Sequence, residues 1–175
     1  MKQKIVSVAD LLIQRGCRVV QIGTGLGPSE PVPARWGLAH GVFNMLHAGH
    51  LRYFQATKDH CDVLVVGITP DRFVAERQRA GGATGLARAI VPEALRAELV
   101  AALEIVDYVV IDEYPHPAPM IRALRPDVFA KGAEYEHDIT PALQEAIAAL
   151  AEYGGRMRFT PEDVVFSVSA FLEGA

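Results

Sequence analysis

From Trp36 onward, short runs in which almost every position is apolar alternate with longer runs in which apolar residues recur every three or four places. The first pattern predicts buried strands and the second amphipathic helices. "WGLAHGVF" is a strand, "AGHLRYFQATKDH" a helix with Leu51 and Phe54 on one face, and "DVLVVGI" a second strand. "PDRFVAERQR" is helical, "AGGATGLAR" is a loose connection, and "PEALRAELVAAL" is a helix with Pro92 near its first position, where its missing N–H costs little. The chain continues with strand "VDYVVI", helix "APMIRAL", strand "DVFAK", helix "TPALQEAIAALAEYG" ended by Gly154, strand "RMRFT" and a last helical turn in "FSVSAFLEG". Strands alternating with helices predict an α/β fold with a mostly parallel sheet.

The residues before this rhythm read differently. "KIVSVADLLIQR" (4–15) predicts a short amphipathic helix and "CRVVQI" a strand, while "GTGLGPSEPVPAR", with Pro28, Pro31 and Pro33, reads as a loop or linker. The expected organisation is an N-terminal helix/strand extension and linker over 1–35, followed by one domain over 36–175. "GTGLG" has the look of a dinucleotide-binding turn, but its third glycine would fall at Pro28 and no helix opens after it.

Composition narrows the function. The chain has 175 residues, enough for a sizeable core, and half of them are apolar. The formal net charge is −4 and there is no long basic block, which argues against nucleic acid or an anionic membrane as partner. The apolar runs are too short to span a bilayer, and "MKQKIVSVAD" does not have the pattern of a signal peptide. Cys17 and Cys61 form no CxxC pair, as expected of reduced core thiols in a cytoplasmic protein.

The candidate chemistry sits at strand-to-helix junctions, the places where open α/β sheets bind ligands. His47 and His50 stand where the second helix opens, with Gly49 between them. N–H groups and the helix dipole favour a phosphate there, and two imidazoles beside it can donate to its oxygens as charge builds. An H-x-x-H spacing also suits zinc, but no cysteine or carboxylate cluster completes the set. Lys131 and Gly132 end the fourth strand, where a lysine either snorkels or presents a point charge to phosphate. Ser167 and Ser169 precede the last helical turn, and serine there is also an ordinary cap. Arg77, Arg79 and Arg88 flank the glycine-rich stretch, as a solvated face or as charge partners for a ligand.

"GVFNMLHAGH" resembles the G-x-F-x-x-x-H-x-G-H signature of the nucleotidylyltransferase superfamily, which includes cytidylyltransferases and heptose-phosphate adenylyltransferases. "LVVGITPDRFV", "RAELVAALEIVDYVVI", "RPDVFAKGAEY" and "FTPEDVVFSVSAFL" extend the likeness over about residues 36–172. The resemblance implies a Rossmann-like three-layer sandwich, transfer of a nucleoside monophosphate from a nucleoside triphosphate to a phosphorylated alcohol or sugar, Mg²⁺ as cofactor, and a homodimer. It makes His47, His50 and Lys131 catalytic. Gly41, Phe43, Gly49, Gly132, Ser167 and Ser169 would bind the nucleotide, and Arg77, Arg79, Arg88 and Arg96 the acceptor. The general frame favours CTP slightly, whereas "KGAEY" looks like the adenylyltransferases acting on heptose-type sugars. Two positions depart from the pattern: Asn44 replaces an aspartate frequent in cytidylyltransferases, and Val168 interrupts a serine run. Both departures are what a non-catalytic nucleotide-binding module would carry.

Overall fold

A computed structural model describes residues 4–17, 19–21, 31–74, 89–137 and 139–160. Its centre is a sheet of five parallel strands: β3 (Trp36–Gly41), β4 (Val63–Ile68), β5 (Tyr108–Ile111), β6 (Val128–Lys131) and β7 (Arg156–Phe159). They lie in the order β5-β4-β3-β6-β7. The chain winds outward from β3 in one direction and then in the other, so β3 is the point where strand order reverses. At that point the pairing is uneven. β3 stays in register with β4 as far as Gly41 and Ile68, but with β6 only as far as Ala39 and Ala130. The sheet therefore opens between β3 and β6 at its carboxyl edge.

Side-chain alternation along the strands makes two cores, and two helix layers cover them. On one face Trp36, Leu38, Val63, Val65, Tyr108 and Val110 pack against α1 (Val8–Cys17), α4 (Ala118–Leu124) and α5 (Pro141–Ala151). On the other, Ala39, Leu64, Val66, Ile68 and Val109 pack against α2 (Ala48–Lys58) and α3 (Glu93–Ala101). This is the Rossmann-like α/β architecture. Local signals end the helices: Thr140 Oγ1 accepts from Leu143 N–H at the start of α5, and Arg125 closes α4 in the left-handed region (φ 51°) just before Pro126.

The N-terminal segment differs from its sequence-based reading. The helix begins at Val8, with Ser7 Oγ accepting from Asp10 N–H at 3.1 Å. Residues before it pair with the edge of β5 instead. Ile5 forms a parallel bridge with Val109, Val6 N–H donates to Val109 O at 3.0 Å, and Val109 N–H donates to Lys4 O at 2.9 Å. An uncovered strand edge is satisfied by any extended neighbour that reaches it, which overrides a weak helical period. The expected strand is present as β1 (Val19–Gln21). It pairs antiparallel with β2 (Pro31–Pro33), inside the stretch expected to be loop. Of the third predicted helix, "PDRFVAERQR", only the turn at 71–74 is described, and the closing helical turn lies outside the described residues.

Candidate active site at the opened edge of the sheet

β3 ends at Gly41, and the chain turns back through residues 42–47 to start α2. Phe43 takes φ 51°, uncommon for a residue with a side chain, and its ring folds back over Gly41. A Cβ on Gly41 would stand 3.0 Å from that ring, so glycine is what lets the ring lie there. The expectation that Phe43 lines the nucleotide changes accordingly. Its ring is buried in the second core, against Phe54 at 5.1 Å, with His50 edge-on at 5.0 Å. It shapes the loop from beneath.

His47 is the N-cap of α2, in extended conformation, and His50 lies in the first turn. Their rings stack 3.8 Å apart at 24°, so the structure brings the two imidazoles together at the positive end of an 11-residue helix. Gly49 occupies the turn between them. Burial pushes the His50 pKa down to about 4, with His47 adding to the effect and the Met45 backbone opposing it; burial also lowers His47. Both rings are therefore neutral at pH 7, each with one N–H to donate.

Lys131 is the last residue of β6 and is buried. Its Nζ donates to His40 O at 2.9 Å, where a continued parallel ladder would place the N–H of Gly132. The ammonium stands in the gap between β3 and β6, beside the Tyr135 ring at 5.0 Å. Gly132 follows and caps a 3₁₀ turn over Ala133–Tyr135.

Arg96 is placed differently from its expected role. It is fully buried in α3, below the loop. Its guanidinium donates to Val42 O, to Thr69 O at 2.9 Å and to Asp71 Oδ1 at 2.5 Å, and Nε donates to Val91 O at 2.9 Å. A guanidinium has five donors in a fixed fork, and here they join the ends of β3 and β4 to α3. Arg96 is a clamp for the loop rather than a contact for an incoming phosphate. Asn44 has a similar part: its Oδ1 accepts from the N–H groups of Ile90 (2.7 Å) and Val91 (3.1 Å). Either oxygen of an aspartate could accept the same two bonds, so the departure at Asn44 preserves the tie.

Two site-edge residues escaped the sequence analysis. His40 and Asp112 are buried, with His40 Nε2 3.0 Å from Asp112 Oδ2. Asp112 Oδ1 accepts from the N–H groups of Glu113 (2.7 Å) and Tyr114 (3.2 Å), which fixes the turn after β5. The bond spans β4 because Gly67 leaves room: a Cβ there would stand 2.7 Å from His40 Cδ2. The available signal was a histidine and an aspartate each ending an apolar strand. Only the strand order brings them together. Arg77, Arg79, Arg88, Ser167 and Ser169 lie outside the described residues.

Residues 38–171 match the sequence profile of the cytidylyltransferase-like family. The chain belongs to this family of nucleotidyltransferases. Among curated relatives of this cytidylyltransferase-like domain, the bifunctional protein HldE of Acidiphilium cryptum is 41% identical over 123 residues, covering 70% of this chain and 23% of that protein. HldE of Geobacter metallireducens is 37% identical over 118 residues, covering 67% and 22%. The chain thus spans less than a quarter of the length of these relatives. Among solved structures, a lipopolysaccharide core biosynthesis protein from Thermoplasma volcanium superposes with a TM-score of 0.54 at 25% identity, covering 72% of this chain and 93% of that one.

Proposed function

We propose that this domain transfers an adenylyl group from ATP to a heptose-type sugar phosphate, with release of pyrophosphate. The observation that carries the transfer is the stacked, neutral His47–His50 pair at the start of α2. An oxygen of the acceptor phosphate attacks the α-phosphorus in line, and the bond from that phosphorus to the oxygen bridging it to the β-phosphate breaks. The imidazole N–H groups donate to the non-bridging oxygens as charge builds, and Lys131 supplies a fixed positive charge nearby. No protein nucleophile is required. Mg²⁺, when bound, would be held by oxygens of the triphosphate and by water and would supply positive charge against the departing pyrophosphate. Among the described residues no three carboxylate, histidine or cysteine groups gather as a metal site.

Adenylyl transfer to a sugar replaces the slight preference for CTP read from the general sequence frame. "KGAEY" resembles the heptose-phosphate adenylyltransferases, the relatives are named HldE, and the structural neighbour is named for building a saccharide. Arg77, Arg79 and Arg88 remain our candidates for the acceptor phosphate, and replacing each by alanine should raise the acceptor KM selectively. Pyrophosphate release with ATP and CTP against a panel of sugar phosphates and alcohol phosphates tests the proposal. ATP with a heptose-type phosphate is the expected pair. Preference for CTP with an alcohol phosphate would restore the cytidylyl reading, and no release with any pair would leave a nucleotide-binding module.

A further inference from the structure

We propose that Tyr53 is a positioning residue that holds Lys131 in place relative to the histidine pair; this rests on the nucleotidyl-transfer reading above. Tyr53 lies on α2 one turn beyond His50, so the two share a helix face. Its hydroxyl reaches the sheet where β3 and β6 part. It donates to Ala130 O at 2.6 Å and accepts from His40 N–H at 3.2 Å. Ala130 O belongs to the peptide that leads into Lys131, and His40 carries the carbonyl that anchors Lys131 Nζ at 2.9 Å. One hydroxyl therefore engages the backbone at both ends of the lysine. The Tyr53 ring also lies 6.3 Å from Phe43 at 23°, and Phe43 meets His50 edge-on at 5.0 Å. Tyr53 touches both the residue that supports His50 and the two strand ends that hold Lys131. Transfer needs the histidine N–H groups and the ammonium aimed at one triphosphate, and small misplacements of such groups cost rate.

The bland alternative is that Tyr53 merely fills space between α2 and the sheet. Tyr53→Phe keeps the ring and its packing and removes only the hydroxyl. Three measurements on the full chain separate the readings: steady-state kinetics with both substrates varied, equilibrium binding of the nucleotide, and thermal melting. Positioning predicts kcat lower by roughly tenfold at temperatures where the variant is fully folded, an acceptor KM within about twofold, and a modest fall in melting temperature because Ala130 O and His40 N–H lose a partner. It also predicts coupling. In the wild-type background Tyr53→Phe should weaken nucleotide affinity several-fold, whereas in a Lys131→Ala background the same change should alter it by less than about twofold, because the group being positioned is gone. Wild-type kcat in Tyr53→Phe, fully additive losses in the double variant, or a rate loss that disappears at temperatures where the variant is fully folded would each overturn the proposal. If the wild-type protein transfers no nucleotide at all, the functional reading fails by itself, and the coupling in nucleotide binding still decides whether Tyr53 acts through Lys131.

Discussion

Two neutral imidazoles 3.8 Å apart are an unusual thing to bury halfway at a helix start, and their chemistry sets two predictions. Each histidine is expected to act like one oxyanion donor, worth about 3–4 kcal/mol of transition-state stabilisation. His47→Ala or His50→Ala should lower turnover about a hundredfold or more in a pyrophosphate-release assay while the melting temperature moves little. Turnover within a factor of two of wild type in both variants would remove the pair from the mechanism. The second prediction concerns acid. Above its ordinary pKa of 6.5, His50 is neutral in the folded and unfolded chain alike, so it makes stability independent of pH there. As pH falls from 6.5 toward about 4, the unfolded chain takes up a proton that the folded site refuses, and stability drops. The loss attributable to His50 is up to about 3 kcal/mol. Urea unfolding of wild type and His50→Gln at pH 7 and pH 4.5 checks this: the variant should lose less on acidification.

The ends of the elements depend on polar ties that cross between them. Arg96 joins the ends of β3 and β4 to α3 through buried bonds to Val42 O, Thr69 O and Asp71. Replacing it by methionine keeps much of the volume and strands those acceptors, at a cost of about 2–5 kcal/mol in denaturant unfolding. A clamp predicts that kcat and both KM values degrade together; a selective rise in the acceptor KM without loss of stability would return Arg96 to the acceptor. On the other side of the sheet, Gly67 leaves room for the His40–Asp112 bond. Gly67→Ala places a Cβ 2.7 Å from His40 Cδ2 and 3.1 Å from Met120 Sδ. Overpacking there should destabilise by about 1–3 kcal/mol. An unchanged denaturation midpoint would mean that the ring has somewhere else to go.

At the scale of the whole molecule, the segment before residue 36 carries part of the fold. Leu11 of α1 is 0% exposed within the same core as Trp36 and Phe129, and residues 4–6 cover the edge of β5. Leu11→Ala should cost about 2–5 kcal/mol, as for any core leucine, measured by chemical denaturation. A cost below about 0.5 kcal/mol would show that α1 is an appendage. How much of this could be read along the chain depends on the distance between the partners. The alternation of apolar runs and helical periods determined the layered α/β fold, because each element's pattern is written in its own few residues. The histidine pair was legible for the same reason: His47, Gly49 and His50 are neighbours, and the strand-to-helix junction orders them locally. The strand order of the sheet was decided by tertiary packing, and the long-range ties around the site follow from it. Lys131 meets the carbonyl of His40 across 91 positions, His40 meets Asp112 across 72, and Arg96 reaches Val42 across 54. Nothing in the periodicity of a strand says which strand lies beside it. An arginine in an amphipathic helix therefore looks the same whether it will clamp a buried loop or greet a phosphate, until the sheet is assembled around it.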